Sequence, residues 1–390
     1  MNHLDPGSDL ASEASLWTFG IDDDEQTSKK TQRQKAPKSG QKLAAGTHIA
    51  KPSEAADRGA VGMIHADKKT LGTTKNGKPC YSHDEPRSRT TVVCVPPKGK
   101  EIDDLAEYNA RILSGMDDLT ADVLFIMTAH WRQFQDAEGY VTITASDILN
   151  ERGIAPYKKD ISGKEYLVGH RPEDIEDVNE RIQQLRGLKL IISTTSLING
   201  RKPKKPVICK GYLVVVSQEW AHEGSERAFA WRCKFYEGLE ALVRNERFCS
   251  VYRKALSYNH LKHAPEKRLS FLAAEGFRLN RNRAFTRSMD LLIKTLNLPF
   301  HDDRPGRSVD RIVAALNRLQ ADEGLASAPH GWGIELSPGV YTQRIEDLFK
   351  AKLLPSRNFG KAFRQLNLRL FPPSTLPEIK EKRKRLNSAK

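Results

Sequence analysis

The sequence predicts an α+β chain: two tandem copies of one unit (helix, strand, two helices, hairpin) behind a disordered N-terminal region. Three observations predict it. Apolar residues recur at three- and four-residue steps in several stretches, as in helices buried on one side. Short alternating runs such as Tyr140-Val141-Thr142-Ile143-Thr144 lie between them, as in strands. The order also repeats: Ile182 and Leu185 precede Gly187-Leu188, and Leu316 and Leu319 precede Gly324-Leu325.

Composition limits the partners. Lys plus Arg number 63 against 49 Asp plus Glu among 390 residues, giving a net charge of +14 and a pI near 9.4. Such an excess favours a polyanion, either nucleic acid or an acidic membrane surface. No run of about 18 apolar residues occurs and the N-terminus is polar, so neither a transmembrane helix, a signal peptide nor a membrane partner is expected. Cys80, Cys94, Cys209, Cys233 and Cys249 are odd in number and unpaired in spacing. That suits a reducing cytosol and a cytoplasmic protein.

Residues 1–100 are rich in Lys, Ser, Thr, Gly, Asp and Pro, so the sequence predicts disorder there. One apolar island, Leu16-Trp17-Thr18-Phe19-Gly20-Ile21, interrupts it. A first domain is expected over 101–225. Its helix spans Ala121 to Phe134, its strand is Tyr140 to Thr144, and Ser146 caps a short helix that Gly153 ends. After a polar insertion, Pro172 to Leu188 reads as a helix with Ile175, Val178, Ile182 and Leu185 inward. Leu190 to Leu197 and Val207 to Val216 read as a hairpin joined by a basic loop.

A second domain is expected over 226–345. Ala228 to Phe235 reads as a strand and Tyr236 to Val243 as a linking helix. Helices over Pro265 to Phe277, Thr286 to Leu298 and Arg307 to Gln320 follow, and Gly331 to Leu336 opens a hairpin. Helix, strand, helix, helix and hairpin, in that order, is the winged-helix variant of the helix-turn-helix.

On Thr142-Ile143-Thr144-Ala145-Ser146-Asp147-Ile148-Leu149 and Glu266-Lys267-Arg268-Leu269-Ser270-Phe271-Leu272, the chain resembles the replication initiators (Rep proteins) of bacterial plasmids. The pattern covers roughly Asp117 to Leu336. The resemblance implies binding to repeated origin sequences in double-stranded DNA and local opening of the duplex. It also implies recruitment of host replication proteins, such as a host initiator or helicase, on a bacterial plasmid or nucleoid. The rival readings are a winged-helix transcriptional regulator and a DNA-nicking enzyme of replication or recombination.

The two halves differ as readers of DNA. In the second, Val309, Ile312, Val313, Leu316 and Leu319 form one face of a helix that Ser308 caps and Gly324 stops. Arg307, Arg311, Ala314 and Arg318 fall together on the opposite face, with Asn317 at its flank. Arginine bonds guanine edges bidentately, and alanine allows close approach to the groove. Arg281, Arg283, Arg287 and Arg304 surround that stripe. In the first half the equivalent helix opens with Glu173, Asp174, Glu176, Asp177 and Glu180, which repel phosphate. The first domain is therefore assigned subunit pairing in a homodimer, and phosphate contact through Arg201, Lys202, Lys204, Lys205 and Lys210 of its hairpin.

The sequence offers no catalytic machinery. There is no Gly-rich loop followed by Lys-Ser or Lys-Thr, so ATP hydrolysis is not expected. His260-Leu261-Lys262-His263 lacks the one-residue gap and the acidic company of a nicking metal site, and no cofactor or metal is expected. No tyrosine has an evident activating base beside it. The chain reads as non-enzymatic.

Residues 346–390 carry one more helix through Leu348, Phe349 and Leu353, then Gln365-Leu366-Asn367-Leu368-Arg369-Leu370-Phe371 before Pro372-Pro373. This run resembles the short peptide by which bacterial replication proteins dock on the DNA-polymerase sliding clamp. There, alternate apolar side chains enter a groove while the glutamine bonds at its rim. The other reading is an edge strand with Leu366, Leu368 and Leu370 packed on the second domain. Both readings stand at this point.

Overall fold

The computed structural model describes residues 42–43, 48–52, 55–66, 71–74, 78–85, 88–95, 116–161, 164–194, 207–222, 227–239, 248–281, 283–295, 298, 300–301, 304–327, 331–357 and 359–376. Regular structure begins well before residue 101. β1 (His48–Pro52), α1 (Ala55–His65), β2 (Gly72–Thr73), β3 (Pro79–Glu85) and β4 (Ser88–Cys94) correct the expectation of a disordered first hundred residues. The reason is non-local. β4 pairs along its whole length with Leu188–Thr194, so this polar segment joins a core built by residues far downstream. Within α1, a Cβ on Gly59 would stand 2.5 Å from the Thr90 methyl, so glycine lets the helix lie directly on β4. The apolar island at Leu16 to Ile21 lies outside the described residues.

The first unit comprises α2 (Asp118–Phe134), β5 (Val141–Thr144), α3 (Ala145–Glu151), a hairpin of β6 (Tyr157–Ile161) and β7 (Lys164–Gly169), and α4 (Pro172–Arg186). β8 (Leu188–Thr194), β9 (Val207–Ala221) and β10 (Ala228–Glu237) complete it. Every residue of α2 from Asp118 to His130 is buried, although periodicity predicts only one apolar face. A helix covered all round is a core helix. Asp117 caps it by accepting from the Leu119 and Thr120 amides, and Thr120 returns the bond in a capping box. α3 is capped by Thr144, not Ser146: Thr144 Oγ1 accepts from the Asp147 amide while Asp147 accepts from Thr144 N. β10 continues through Tyr236 and Glu237, where a linking helix was expected, and Gly238 at φ +80° turns the chain.

The second unit comprises β11 (Phe248–Tyr252), α5 (Lys254–Ser257), α6 (Ala264–Leu279), β12 (Phe285–Ser288), α7 (Met289–Thr295) and α8 (Pro305–Ala321). β13 (Trp332–Ser337), β14 (Val340–Thr342), α9 (Ile345–Lys350), α10 (Gly360–Gln365) and β15 (Asn367–Leu370) follow. Thr286 to Ser288, expected inside a helix, form a strand because their ladder partner is β15, near the end of the described chain.

Every strand pair among the described residues is antiparallel. One sheet runs β2-β3-β4-β8-β9-β10-β5 and another runs β12-β15-β13-β14, with β1-β11 and β6-β7 as separate pairs. The repeat shows in the topology. In each unit a strand from later in the chain lies between the opening strand and the hairpin: β10 between β5 and β9, β15 between β12 and β13. The units meet where α2 packs on α6, with Phe125 and Phe271 edge to face at 4.4 Å. Phe271 and Ala274 belong to the first unit's core, so the expected boundary at 225/226 is not a break in packing. Nor do the described residues 346–357 and 359–376 stand apart, since β15 is an interior strand of the second unit.

Candidate nucleic-acid interface

α8 is positioned from its buried side. Val309, Ile312, Ala315, Leu316 and Leu319 are each at most 2% exposed and pack in the second core. The helix begins at Pro305, which supplies a preset φ at the first turn. Ser308 is not its cap: it is buried inside the first turn, and its Oγ accepts from the His301 amide at 2.9 Å. At the other end the amides of Gly324 and Leu325 both bond to Leu319 O, closing the last turn.

The opposite face carries Arg307, Asp310, Arg311, Ala314, Asn317 and Arg318, all exposed. Arg307 and Arg311 are exposed, and among the described residues neither has a hydrogen-bond or ion-pair partner. Asp310 beside them offsets part of their charge. Two members of the predicted set are engaged with the protein itself. Arg318 Nε lies 3.3 Å from Glu266 Oε1 of α6, and Asn317 Oδ1 accepts from Trp332 Nε1 at 3.1 Å.

The surrounding arginines differ in exposure. Arg281 and Arg283 are exposed in the turn after α6, where Arg281 takes a left-handed φ of 54°. Arg304 is exposed at the N-cap of α8. Arg287 is half-buried, lies over the Phe285 ring and donates to Thr286 O. The turn between β13 and β14, Ser337-Pro338-Gly339-Val340, is exposed and uncharged, so this hairpin offers shape rather than charge.

Acid-base groups hold the far end of α8. Asp322, its C-cap, accepts from Lys254 Nζ and Tyr258 Oη, each at 2.6 Å. Burial alone would raise the Asp322 pKa, but these two donors bring it below the usual carboxylate value.

In the first unit, Glu173, Asp177 and Glu180 are exposed along one face of α4, and Glu176 pairs with Arg227 at 2.9 Å. That helix presents carboxylates, as the sequence predicts. Arg201, Lys202, Lys204 and Lys205 lie outside the described residues; Lys210, on β9, is exposed.

The clamp-docking reading of Gln365 to Phe371 does not hold in the folded chain. Leu368 and Leu370 are each 1% exposed, and β15 is bonded on both sides, to β12 and to β13. Gln365 ends α10, Leu366 is half-buried, and Phe371 packs against Tyr341. The strand reading holds with one change: β15 is interior, not an edge. The prolines that follow end the strand rather than free a peptide.

Among the described residues no cluster of His, Cys, Asp and Glu is arranged to hold a metal, and no helix is long and apolar enough to cross a membrane. His263 pairs with Glu266 at 3.2 Å, while Cys249 lies 3.5 Å from Glu275.

Sequence reasoning missed the acidic and basic groups where α2 meets α6. Arg268 bonds Asp118 through Nε and Nη2, at 3.0 and 2.9 Å, and Lys267 bonds Asp122 at 2.6 Å. His65 of α1 is 3.1 Å from Asp118. Nothing in the local pattern marks these residues, because charged positions on a helix ordinarily face water.

No protein-family model and no curated protein matches the chain. Among solved structures it is similar in part to a selenomethionine derivative of domains 2 and 3 of RctB. The identity is 15% and the TM-score 0.37, over 67% of this chain and 84% of that one. A second structure of RctB domains 2-3 gives 14% and 0.35, over 67% and 83%. Likeness at this level bears on no residue of the interface.

Proposed function

We propose that each unit is a winged helix and that the chain is a sequence-specific double-stranded DNA-binding protein, with α8 as the helix that enters the major groove. The observation that carries this reading is the exposed face of α8, where Arg307, Arg311 and Ala314 face solvent opposite a fully packed apolar side. Two exposed guanidiniums separated by one turn, beside a small residue, suit guanine edges. The net charge of +14 supplies the sequence-independent attraction to phosphate. In its specific form, the reading is a replication initiator that binds repeated origin sequences, opens the duplex beside them and recruits host replication proteins. It acts by binding and not by catalysis.

Footprinting on DNA flanking its own gene tests this. Directly repeated protected sites are the expected result. A single palindromic site makes the protein a transcriptional regulator instead, and an absence of protected sequence removes the DNA reading. Nicking of supercoiled origin DNA in Mg²⁺, with a covalent tyrosine adduct, would make it an enzyme.

A further inference from the structure

Lys267 has no exposed surface, and neither has Asp122, its partner at 2.6 Å. A lysine this deep is uncommon, because its ammonium loses its hydration and needs acceptors held in fixed places. Here there are three, one for each proton: Asp122 Oδ2, and the carbonyl oxygens of Ala255 at 2.9 Å and Leu256 at 3.0 Å. These acceptors come from different elements. Asp122 belongs to α2 of the first unit, Ala255 and Leu256 to α5, and Lys267 itself to α6. One nitrogen therefore joins α2 of the first unit to two elements of the second, α5 and α6.

The residues beside this nitrogen continue the chain of contacts. Arg268 bonds Asp118 on the same face of α2. Lys254 and Tyr258, flanking the two carbonyls, hold Asp322 at the end of α8. Glu266, next to Lys267, holds Arg318 of α8. The apolar contacts across the same interface, such as Phe125 on Phe271, are non-directional. Three hydrogen bonds to one nitrogen are directional. Asp122 Oδ1 has no hydrogen-bond partner, so the pair is incompletely satisfied and is better suited to orientation than to stability.

We propose that Lys267 is a positioning residue which, with Asp122 as its counter-charge, sets the angle at which α8 is carried relative to the first unit. On DNA this makes the chain selective for the spacing between the two blocks that its units contact. The spacing part rests on the DNA-binding reading above; the angle does not.

The test uses the full chain with Lys267→Met and Asp122→Leu together. That exchange removes both charges of the pair at similar volume and leaves Arg152, whose Nε lies 3.4 Å from Asp122 Oδ2, as a charge beside it; buried pairs replaced in this way commonly leave proteins folded. Spin labels at the exposed Glu180 of α4 and Asp310 of α8 report the angle without DNA. The wild-type distance distribution should be narrow, and the double variant's should broaden or move its centre. Unchanged width and centre would overturn the proposal. Lys267→Gln with Asp122→Asn, which loses both charges and keeps polar side chains of similar length, serves if the first double variant does not fold, and the same two outcomes apply.

The DNA arm inserts base pairs between the two protected blocks, up to half a helical turn. Wild-type affinity should drop about tenfold or more at the wrong spacings. The variant should be indifferent to spacing, yet bind the block read by α8 as well as the wild type does. A variant as selective as the wild type overturns the spacing part. Wild-type protein that binds no DNA removes the DNA reading, while the label distances still decide the angle.

Discussion

Trp332 donates its indole N–H to the side-chain oxygen of Asn317, 3.1 Å away. An indole N–H only donates, so this bond fixes which end of the amide faces the sheet and leaves the NH₂ group toward solvent. A bidentate pair with adenine needs both ends of an amide. Asn317 therefore offers DNA a donor alone. Asn317→Ala should cost about 1 kcal/mol of stability by leaving the buried indole N–H unpaired. Asn317→Asp keeps the acceptor and should recover most of it in urea unfolding. Equal losses in both variants would show that the Trp332 bond does not matter.

Arginines on one stripe should not behave alike. Arg307→Ala or Arg311→Ala should cost roughly 1–3 kcal/mol on the specific site, with little change on random DNA, in anisotropy titrations. Arg318→Ala should cost less, because Glu266 already holds its guanidinium at 3.3 Å. Equal losses for Arg318 and Arg311 would mean that the Glu266 pair opens on DNA.

Phosphate binding by the first hairpin has its own signature. Neutralising Lys202, Lys204 and Lys205 should weaken binding to every sequence and reduce the salt slope by about one unit for each phosphate left without its cation. An unchanged slope would assign these lysines to solvent.

Leu368→Ala should destabilise the second unit by about 2–5 kcal/mol, as expected for a leucine in a closed core. Calorimetry would show this as a lower melting temperature. The folded wild-type chain should not be retained by immobilised sliding clamp. Retention that Gln365→Ala abolishes without a change in melting would reinstate the docking peptide.

Acid should act on Asp118 and Asp122 in opposite directions. Burial opposes ionisation of Asp118, but hydrogen bonds from His65 and Arg268 hold its pKa at about 2, against the usual 3.8. The stability it contributes is present above the higher value and is lost as pH falls from there toward 2. Burial raises Asp122 to about 6, only partly offset by Lys267 and Arg152. Between 3.8 and about 6 the folded chain keeps a proton that the unfolded chain releases, so this group's share falls as pH rises through that window. Urea midpoints across pH should show both slopes. Asp118→Asn should flatten the lower one and Asp122→Asn the upper one; slopes unmoved by either change would place the titrating groups elsewhere.

The sequence by itself determined those features whose physics is local. The apolar spacing of Val309, Ile312, Leu316 and Leu319 fixes which side of α8 is buried, and so which side carries Arg307 and Arg311. The acidic face of α4 and the repeated order of elements are legible in the same way. Tertiary structure decided everything that depends on a distant partner. Thr286 reads as helical until Arg369 pairs with it across β12 and β15. The polar strand β4 orders because β8 waits for it, and Leu368 becomes core because β12 and β13 close on both its sides. Lys267, on an amphipathic helix, reads as solvated until α2 supplies Asp122. Periodicity tells which face of an element seeks cover, but strand pairing and the cover itself come from long-range contacts that no short window of sequence contains.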